Sequence, residues 1–588
     1  MRFFKSLWGK ITIGVLLVGG IGALVVYYVY FKRTFEHLKV IPSSTFVVGS
    51  MNPMHLHDKL NWDKALELPM MKQLRESMPD NVREIFDDFV DDPMSLGIAM
   101  KNDIYAFGYI HESKTYFGMT MALHSRSSFE DLLSKTGVMI AVKEEDEYKY
   151  FDGGNAFVGW TSGLVLVVGS QDLSEGTDLK AEFERLLALS DEEQLQNTDA
   201  DFEEYIKTSH DFSLWACSNP FAEIVSYEMQ KQTGGVFALT EDDIKDNRIH
   251  MYMDFEKGEI NMVQEFLPNE KLKSKNFPEK MLKKAIDKKL LDMIPGDNLI
   301  GGMGWAVNIQ GMMELITGAM PPQFSAMLVE APKQVGLTQK ELLELVGGDA
   351  FVGFYGFFEV RKANDKSMIS GMDDFFKDEM GEEEEFNEFF EEMEKLEGEI
   401  EESEPDTITI SVPNIIIAFT VKEDLMKKLL TEATKKIEEN PMVSQMTGIT
   451  MIDSSYYKFR GKFDMFMAFT NGVGFVSSNE DFIKKVADGN YKPGKKIQGD
   501  FSEMLSNYPF SGFMNLQTDK LPENTTGLMA DAMGGEMQFG MFKNFMGLFK
   551  DARFFVKDYK AEMKITLTED DEYALYKILE RIDAVISQ

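Results

Sequence analysis

The chain has 588 residues, 44% hydrophobic and 27% charged, so it is too long for one core and too apolar for a disordered protein. Its 98 Asp and Glu against 61 Lys and Arg leave a formal net charge of −37, which repels nucleic acid, and no basic stripe offsets it. A single cysteine, Cys217, excludes a disulfide scaffold and any multi-cysteine zinc or iron–sulfur site.

After a short tail, residues 1–10, the run Ile11–Phe31 holds 21 residues without a charge. At about 1.5 Å per residue it spans the roughly 30 Å hydrocarbon core of a bilayer. Tyr27, Tyr28 and Tyr30 cluster at its end, where an aromatic belt sits. A cleaved signal peptide would have a shorter apolar region and a small-residue site after it, and VVYYVYFKR has none. No cysteine follows, so no lipid is attached there. The run is expected to be an uncleaved transmembrane helix, 11–31, with the rest of the chain on the outer side.

Beyond the span two copies of one pattern are expected, 41–285 and 286–588. Ile41-Pro42 and the strand TFVVGSM answer Ile294-Pro295 and LIGGMGWAV. Asp103-Ile104-Tyr105 answers Asp349-Ala350-Phe351. A gap-free match at an offset of 309 pairs Tyr148-Lys149-Tyr150 with Tyr457-Lys458-Phe459 and Thr161-Ser162-Gly163 with Thr470-Asn471-Gly472. Asp201-Phe202 answers Asp500-Phe501, and each copy ends in an alternating, hairpin-like stretch.

Alternating or wholly apolar short runs predict strands, and Asn471-Gly472 predicts a tight hairpin turn. Amphipathic stretches such as SSFEDLLSKTG and KEDLMKKLLTEATKKI predict helices between them. The mixed order predicts an α+β fold with antiparallel sheets. Asn52, Asn219, Asn308 and Asn515 each end a strand before a helical pattern. Helix capping explains them better than a shared ligand.

The offset changes from 246 to 309 across the region that replaces the turn near His111–Lys114, which places an insertion in the second copy at about 361–408. Residues 371–406 carry 18 acids against Lys377 and Lys395. Phe386, Phe389, Phe390, Met393, Leu396 and Ile400 recur at three-to-four spacing, one face of a helix. This stripe either packs on its own domain or docks a partner with a basic groove. An anionic membrane would repel it.

The chain has 40 Met. The segment 527–549 is apolar on most faces and carries Met529, Met533, Met537, Phe539, Met541, Phe542, Phe545 and Met546. Methionine adapts its shape, so this is either core filling or a surface for an apolar client, the membrane or a partner.

No nucleophile elbow, phosphate-binding loop or dinucleotide fingerprint occurs. His55 and His57 lie two apart near Asp58, and positions two apart on a helix do not share a face. Cys217 has no recognisable histidine partner. No catalytic, cofactor-binding or metal-binding residue is assigned, and no cofactor is expected.

The stretches IPSSTFVVGSMNPMHLHDKL, DPMSLGIAMKNDIYAFGYI and YFDGGNAFVGWTSGLVLVVGSQDL resemble an uncharacterised family of Bacteroidota envelope proteins, a domain of unknown function. The resemblance spans nearly all of 41–588 and implies a duplicated α+β ectodomain in the envelope. It carries no catalytic residue. Many members look like lipoproteins, and this chain lacks the required cysteine. The expected protein is a single-pass inner-membrane protein with a periplasmic ectodomain. Its expected role is non-enzymatic binding or scaffolding of another envelope protein. A carrier or chaperone for lipids or apolar clients is the alternative, and a hydrolase of unrecognised type a further one.

Overall fold

The computed structural model describes residues 35–136, 141–170, 178–232, 239–319, 337–363, 407–438, 449–452, 456–459, 464–489, 491–521, 523–533 and 535–586. The expected span 11–31 lies outside them, as do Phe386, Phe389, Phe390, Met393, Leu396 and Ile400. No helix among the described residues is long and apolar enough to cross a membrane. The chain divides into two compact units. The first comprises Met1–Tyr227, Leu239–Ser274 and Thr566–Gln588, and the second Glu228–Ala238 and Lys275–Ile565.

The strands of the first unit are β1 (Thr45–Met51), β2 (Ile104–His111), β3 (Lys114–Ala122), β4 (Lys143–Glu144), β5 (Lys149–Asp152), β6 (Ala156–Trp160), β7 (Leu164–Ser170), β8 (Phe212–Cys217), β9 (Arg248–Glu256) and β10 (Glu259–Leu267). They pair antiparallel in the order β10-β9-β8-β1-β2-β3-β7-β6-β5-β4. Helices α1 (Pro53–Lys59), α2 (Arg126–Lys135), α3 (Leu179–Leu187) and α4 (Ala200–Tyr205) connect them, and α5 (Ala222–Gln232) starts in this unit and ends in the stretch assigned to the second.

One sheet face carries the core. Tyr105, Phe107 and Tyr109 alternate along β2 and meet Phe157, Leu166, Val168 and Trp215 from neighbouring strands. Phe183 and Leu186 of α3 and Phe202 and Tyr205 of α4 close over them. The fit is tight: a Cβ at Gly159 would lie 2.3 Å from Cζ of Phe183.

The second unit contains β11 (Gly301–Ala306), β12 (Val346–Ala363), β13 (Thr407–Val421), β14 (Ile449–Ile452), β15 (Tyr456–Phe459), β16 (Met465–Thr470), β17 (Val473–Ser477), β18 (Phe510–Asn515), β19 (Phe549–Lys557) and β20 (Lys560–Leu567). Their antiparallel order is β19-β18-β11-β12-β13-β17-β16-β15-β14, with β20 beside β19. Strand for strand, this is the order of the first unit. Its helices include α6 (Gln339–Leu345), α7 (Glu423–Glu438), α8 (Glu480–Ala487), α9 (Asp500–Asn507), α10 (Glu523–Ala532) and α11 (Glu536–Met546). The chain then returns to the first unit, where α12 (Ala574–Ile586) is fixed by Asp583, which accepts the Met70 amide at 2.5 Å.

The mixed fold with a large antiparallel sheet agrees with the sequence. Asn471 (φ 54°) and Gly472 (φ 77°) form the expected turn between β16 and β17. The hairpin of β2 and β3 closes at His111 and Lys114, whereas β12 and β13 stay paired out to Ala363 and Thr407. The acidic insertion therefore springs from the tip of that longer hairpin.

The gap-free match fails at one strand. Phe157 pairs with Val168 and Phe466 with Ser477, which preserves the offset of 309 through β6 and β7. Val158 faces Phe151, however, while Met467 faces Tyr457. Tyr457 thus answers Phe151 rather than Tyr148, a shift of three residues. A longer turn precedes β16.

Of the four asparagines, Asn52 caps α1 by accepting the His55 amide (2.9 Å), and Asn308 accepts that of Gly311 (3.2 Å). Asn515 accepts the Gln517 amide in a local turn (3.0 Å). Asn219 instead exchanges hydrogen bonds with Asp246 and caps no helix.

Candidate functional site

The polar clusters are structural. His57 Nε2 donates to the Val90 carbonyl (3.2 Å), its ring packs on Trp62 and Phe89, and His55 faces Asp211 instead. Among the described residues no three His, Cys, Asp or Glu are placed to hold a metal. Cys217 is buried, and burial pushes its thiol up, the wrong direction for a nucleophile.

The arrangement nearest to a catalytic relay is on β9. The carboxylate of Asp201 meets His250 Nε2 (2.8 Å) and accepts from Trp215 Nε1 (3.0 Å). His250 Nδ1 meets the Tyr252 hydroxyl at 2.9 Å. Burial pushes that hydroxyl up to about 12, so it stays protonated. In the second unit the residue opposite Phe513 is Arg553, as His250 is opposite Trp215, and it pairs with Asp500 at 2.7 Å. An arginine keeps its proton. What the two positions share is a charge tie between a strand and the first turn of a helix.

Among the described residues the opposite face of the first sheet is apolar from β9 to β6, with the polar, exposed Gln264 of β10 beside Met251 at its edge. Cross-strand register aligns Met251, Leu214, Gly49, Ala106, Met119, Val167 and Val158 in one row across seven strands. A parallel row holds Ile249, Ala216, Val47, Gly108, Phe117, Gly169 and Ala156. A third begins with Met253, Phe212, Met51 and Ile104. None of these side chains is polar or charged.

Among the described residues the face is only partly covered. Around Trp160 and Val165, helix α2 packs its Phe129, Leu132 and Leu133. The centre is left open: Ala106 is exposed, Phe117 is 49% exposed and Met251 43%. A Cβ at Gly49 would meet nothing nearer than the Ser213 carbonyl oxygen at 4.0 Å. Gly108 beside it is closed, since a Cβ there would lie 3.1 Å from Phe46 and Val47. The result is a shallow apolar trough with small residues on its floor.

At one end Phe46 meets Phe221 edge-on at 5.4 Å, just before α5. The helix buries Ala222 and Ser226, while Ile224, Val225 and Tyr227, with Phe221 just before it, are exposed alongside Glu223, Ile224 at 62%.

The second unit has a matching apolar row, Phe554, Gly512, Met303, Val352, Ile417, Val476 and Met467. Part of that face lies under α7, whose Leu425, Met426, Leu429 and Leu430 cluster with Phe419, Met467 and Phe469. In the Met-rich segment the outcome is mixed. Phe539 is buried, Met529, Met533, Phe542, Phe545 and Met546 are half-buried, and Met537 (77%) and Met541 are exposed. An open depression of about 630 Å³ between α6 and α7 is lined by Glu341, Glu344, Glu423 and Asp424 with Lys422, a hydrophilic setting unlike the trough.

The trough was not singled out from the sequence, although its signal is present. Strands such as TFVVGSM and LVLVVGS are apolar at consecutive positions, which means both faces of the strand are apolar.

A family profile described as Domain of unknown function (DUF4836) matches residues 37–575. No functionally curated protein matches the chain. Among solved structures it is similar to crystal form I of TP0453 (11% identity, TM-score 0.23, 40% of this chain and 79% of that one). Crystal form III of TP0453 gives 12% identity, TM-score 0.23 and coverages of 40% and 82%.

Proposed function

The chain belongs to the DUF4836 family, and we propose that it is a membrane-tethered, non-enzymatic binding protein that holds apolar clients on the outer face of its first sheet. The observation that carries this reading is the trough: apolar rows, small residues at the centre, and exposed Phe117 and Met251 where a soluble unit would place polar groups. Residues 11–31 supply the tether, in an inner membrane of a Bacteroidota cell, with both units in the periplasm. The shared strand order supports two copies of one ancestral domain.

Purifying full-length protein from gently solubilised membranes, with mass spectrometry of bound lipid and protein, tests this. A stoichiometric apolar client is expected, reduced in Ala106→Asp. Equal recovery of the same client with that variant overturns the assignment to this face.

A second reading is a scaffold for another envelope protein, favoured by the insertion's place at the tip of the β12–β13 hairpin. Loss of a protein partner on deleting 371–406, with the apolar client retained, would support it.

A further inference from the structure

We infer that the client of the trough is the acyl chain of a lipid whose headgroup carries no net negative charge, laid across the strands. The inference rests on the binding role proposed above and names its ligand. From Met251 through Leu214, Gly49 and Ala106 to Met119 the row crosses four strand spacings. At about 4.8 Å each this is about 19 Å, close to the length of an extended chain of about 16 carbons.

The floor suits a slender methylene chain. Gly49 and Ala106 present no bulk at the centre, and the space above Gly49 is open. Phe117, half in water, stands beside Ala106's row and would cover one flank. The adjacent rows are equally apolar, so they give a peptide backbone no polar partner along this floor. The rows that line the floor hold no basic side chain to pair with a free carboxylate or an anionic headgroup. The tether at 11–31 keeps the unit beside a supply of such lipids.

The test uses the full-length protein in vesicles of phosphatidylcholine that carries a photoactivatable diazirine in one acyl chain, with crosslinked peptides mapped by mass spectrometry. The result expected is labelling of β1, β2 and β8 residues around Gly49, Ala106 and Leu214, in addition to 11–31. Gly49→Phe, which fills open space, should lower that labelling at least tenfold. Ala106→Leu gives a second, milder block should the first variant fold poorly.

Labelling confined to 11–31, or unchanged in both variants, overturns the inference. Stronger labelling by a diazirine fatty acid than by phosphatidylcholine overturns the neutral headgroup. Failure of the broader reading is distinguished with benzoylphenylalanine at Phe117. Capture of a polypeptide there, without lipid, keeps the binding role and rejects the acyl chain. Capture of neither rejects both.

Discussion

Replacing Phe117 by Ala removes a half-exposed ring from the trough. It sits on β3 between Gly108 of β2 and Gly169 of β7, so two glycines flank it in register. A Phe side chain covers about 200 Å² when fully enclosed, and 49% of this one is exposed, which leaves about 100 Å² for a client to cover. At about 25 cal/mol per Å² that contact is worth about 2.5 kcal/mol, or about 60-fold in affinity. The cost to folding is of similar size. About half of the ring already packs on the protein, and its loss should cost about 2 kcal/mol, with no enclosed cavity to add to it. The assay is half-saturation of photo-labelling by diazirine phosphatidylcholine at rising mole fraction, with thermal unfolding alongside. A half-saturation shift under threefold in a variant that still melts cooperatively would refute the claim that this ring contacts the client.

Four further outcomes follow from the packing and charge. His250→Arg should keep the tie to Asp201, as Arg553 keeps one to Asp500, whereas His250→Ala should cost about 1 kcal/mol by removing one of the two donors to the Asp201 carboxylate and leaving only Trp215; equal melting of the two variants would contradict the structural role. Gly159→Ala drives a Cβ to 2.3 Å from the Phe183 ring and should cost about 2 kcal/mol, with partial rescue by Phe183→Leu in a double-mutant cycle. Burial pushes the carboxyls of Asp201, Asp254 and Glu182 upward, but hydrogen bonds from His250, His210 and Arg185 outweigh it and hold all three below the usual range. Their folded values lie below their unfolded ones, so this stability is present above about pH 4 and is lost as pH falls through the folded values; Asp201→Asn should flatten the acid limb of a melting-temperature profile. Replacing 364–406 by a two-residue turn should leave the melting temperature within about 2 °C, because β2 and β3 already close with two residues, and a large drop would show that the insertion packs on its unit.

Local chemistry made much of the fold legible. Asn471-Gly472 dictates a left-handed turn, Asn52-Pro53 dictates a helix start, and apolar runs at the right spacing dictate strands. The insertion could be placed because two similar hairpins fell out of step. The three-residue shift at β15 was not legible. Tyr456, Tyr457 and Phe459 offer several aromatic registers, and only backbone pairing decides which one faces β16. The trough was harder still. Apolar strands declare that both faces are hydrophobic, but whether helices cover the second face depends on tertiary packing. In the first unit α2 covers one corner, while in the second α7 covers its own. The outward Ile224, Val225 and Tyr227 of α5 were invisible for the same reason, since which side of a helix meets water is decided by its neighbours. Met537 and Phe539 show the same limit within a single turn, one exposed and the other buried.

The most direct measurement places benzoylphenylalanine at Phe117 in the full-length protein in its own cells, with the same probe at exposed, polar Lys207 as the reference. The account predicts that light joins the Phe117 probe to an apolar client well above the Lys207 background, and that Gly49→Phe suppresses the product. Equal yields at the two positions, or a product indifferent to Gly49→Phe, would contradict it.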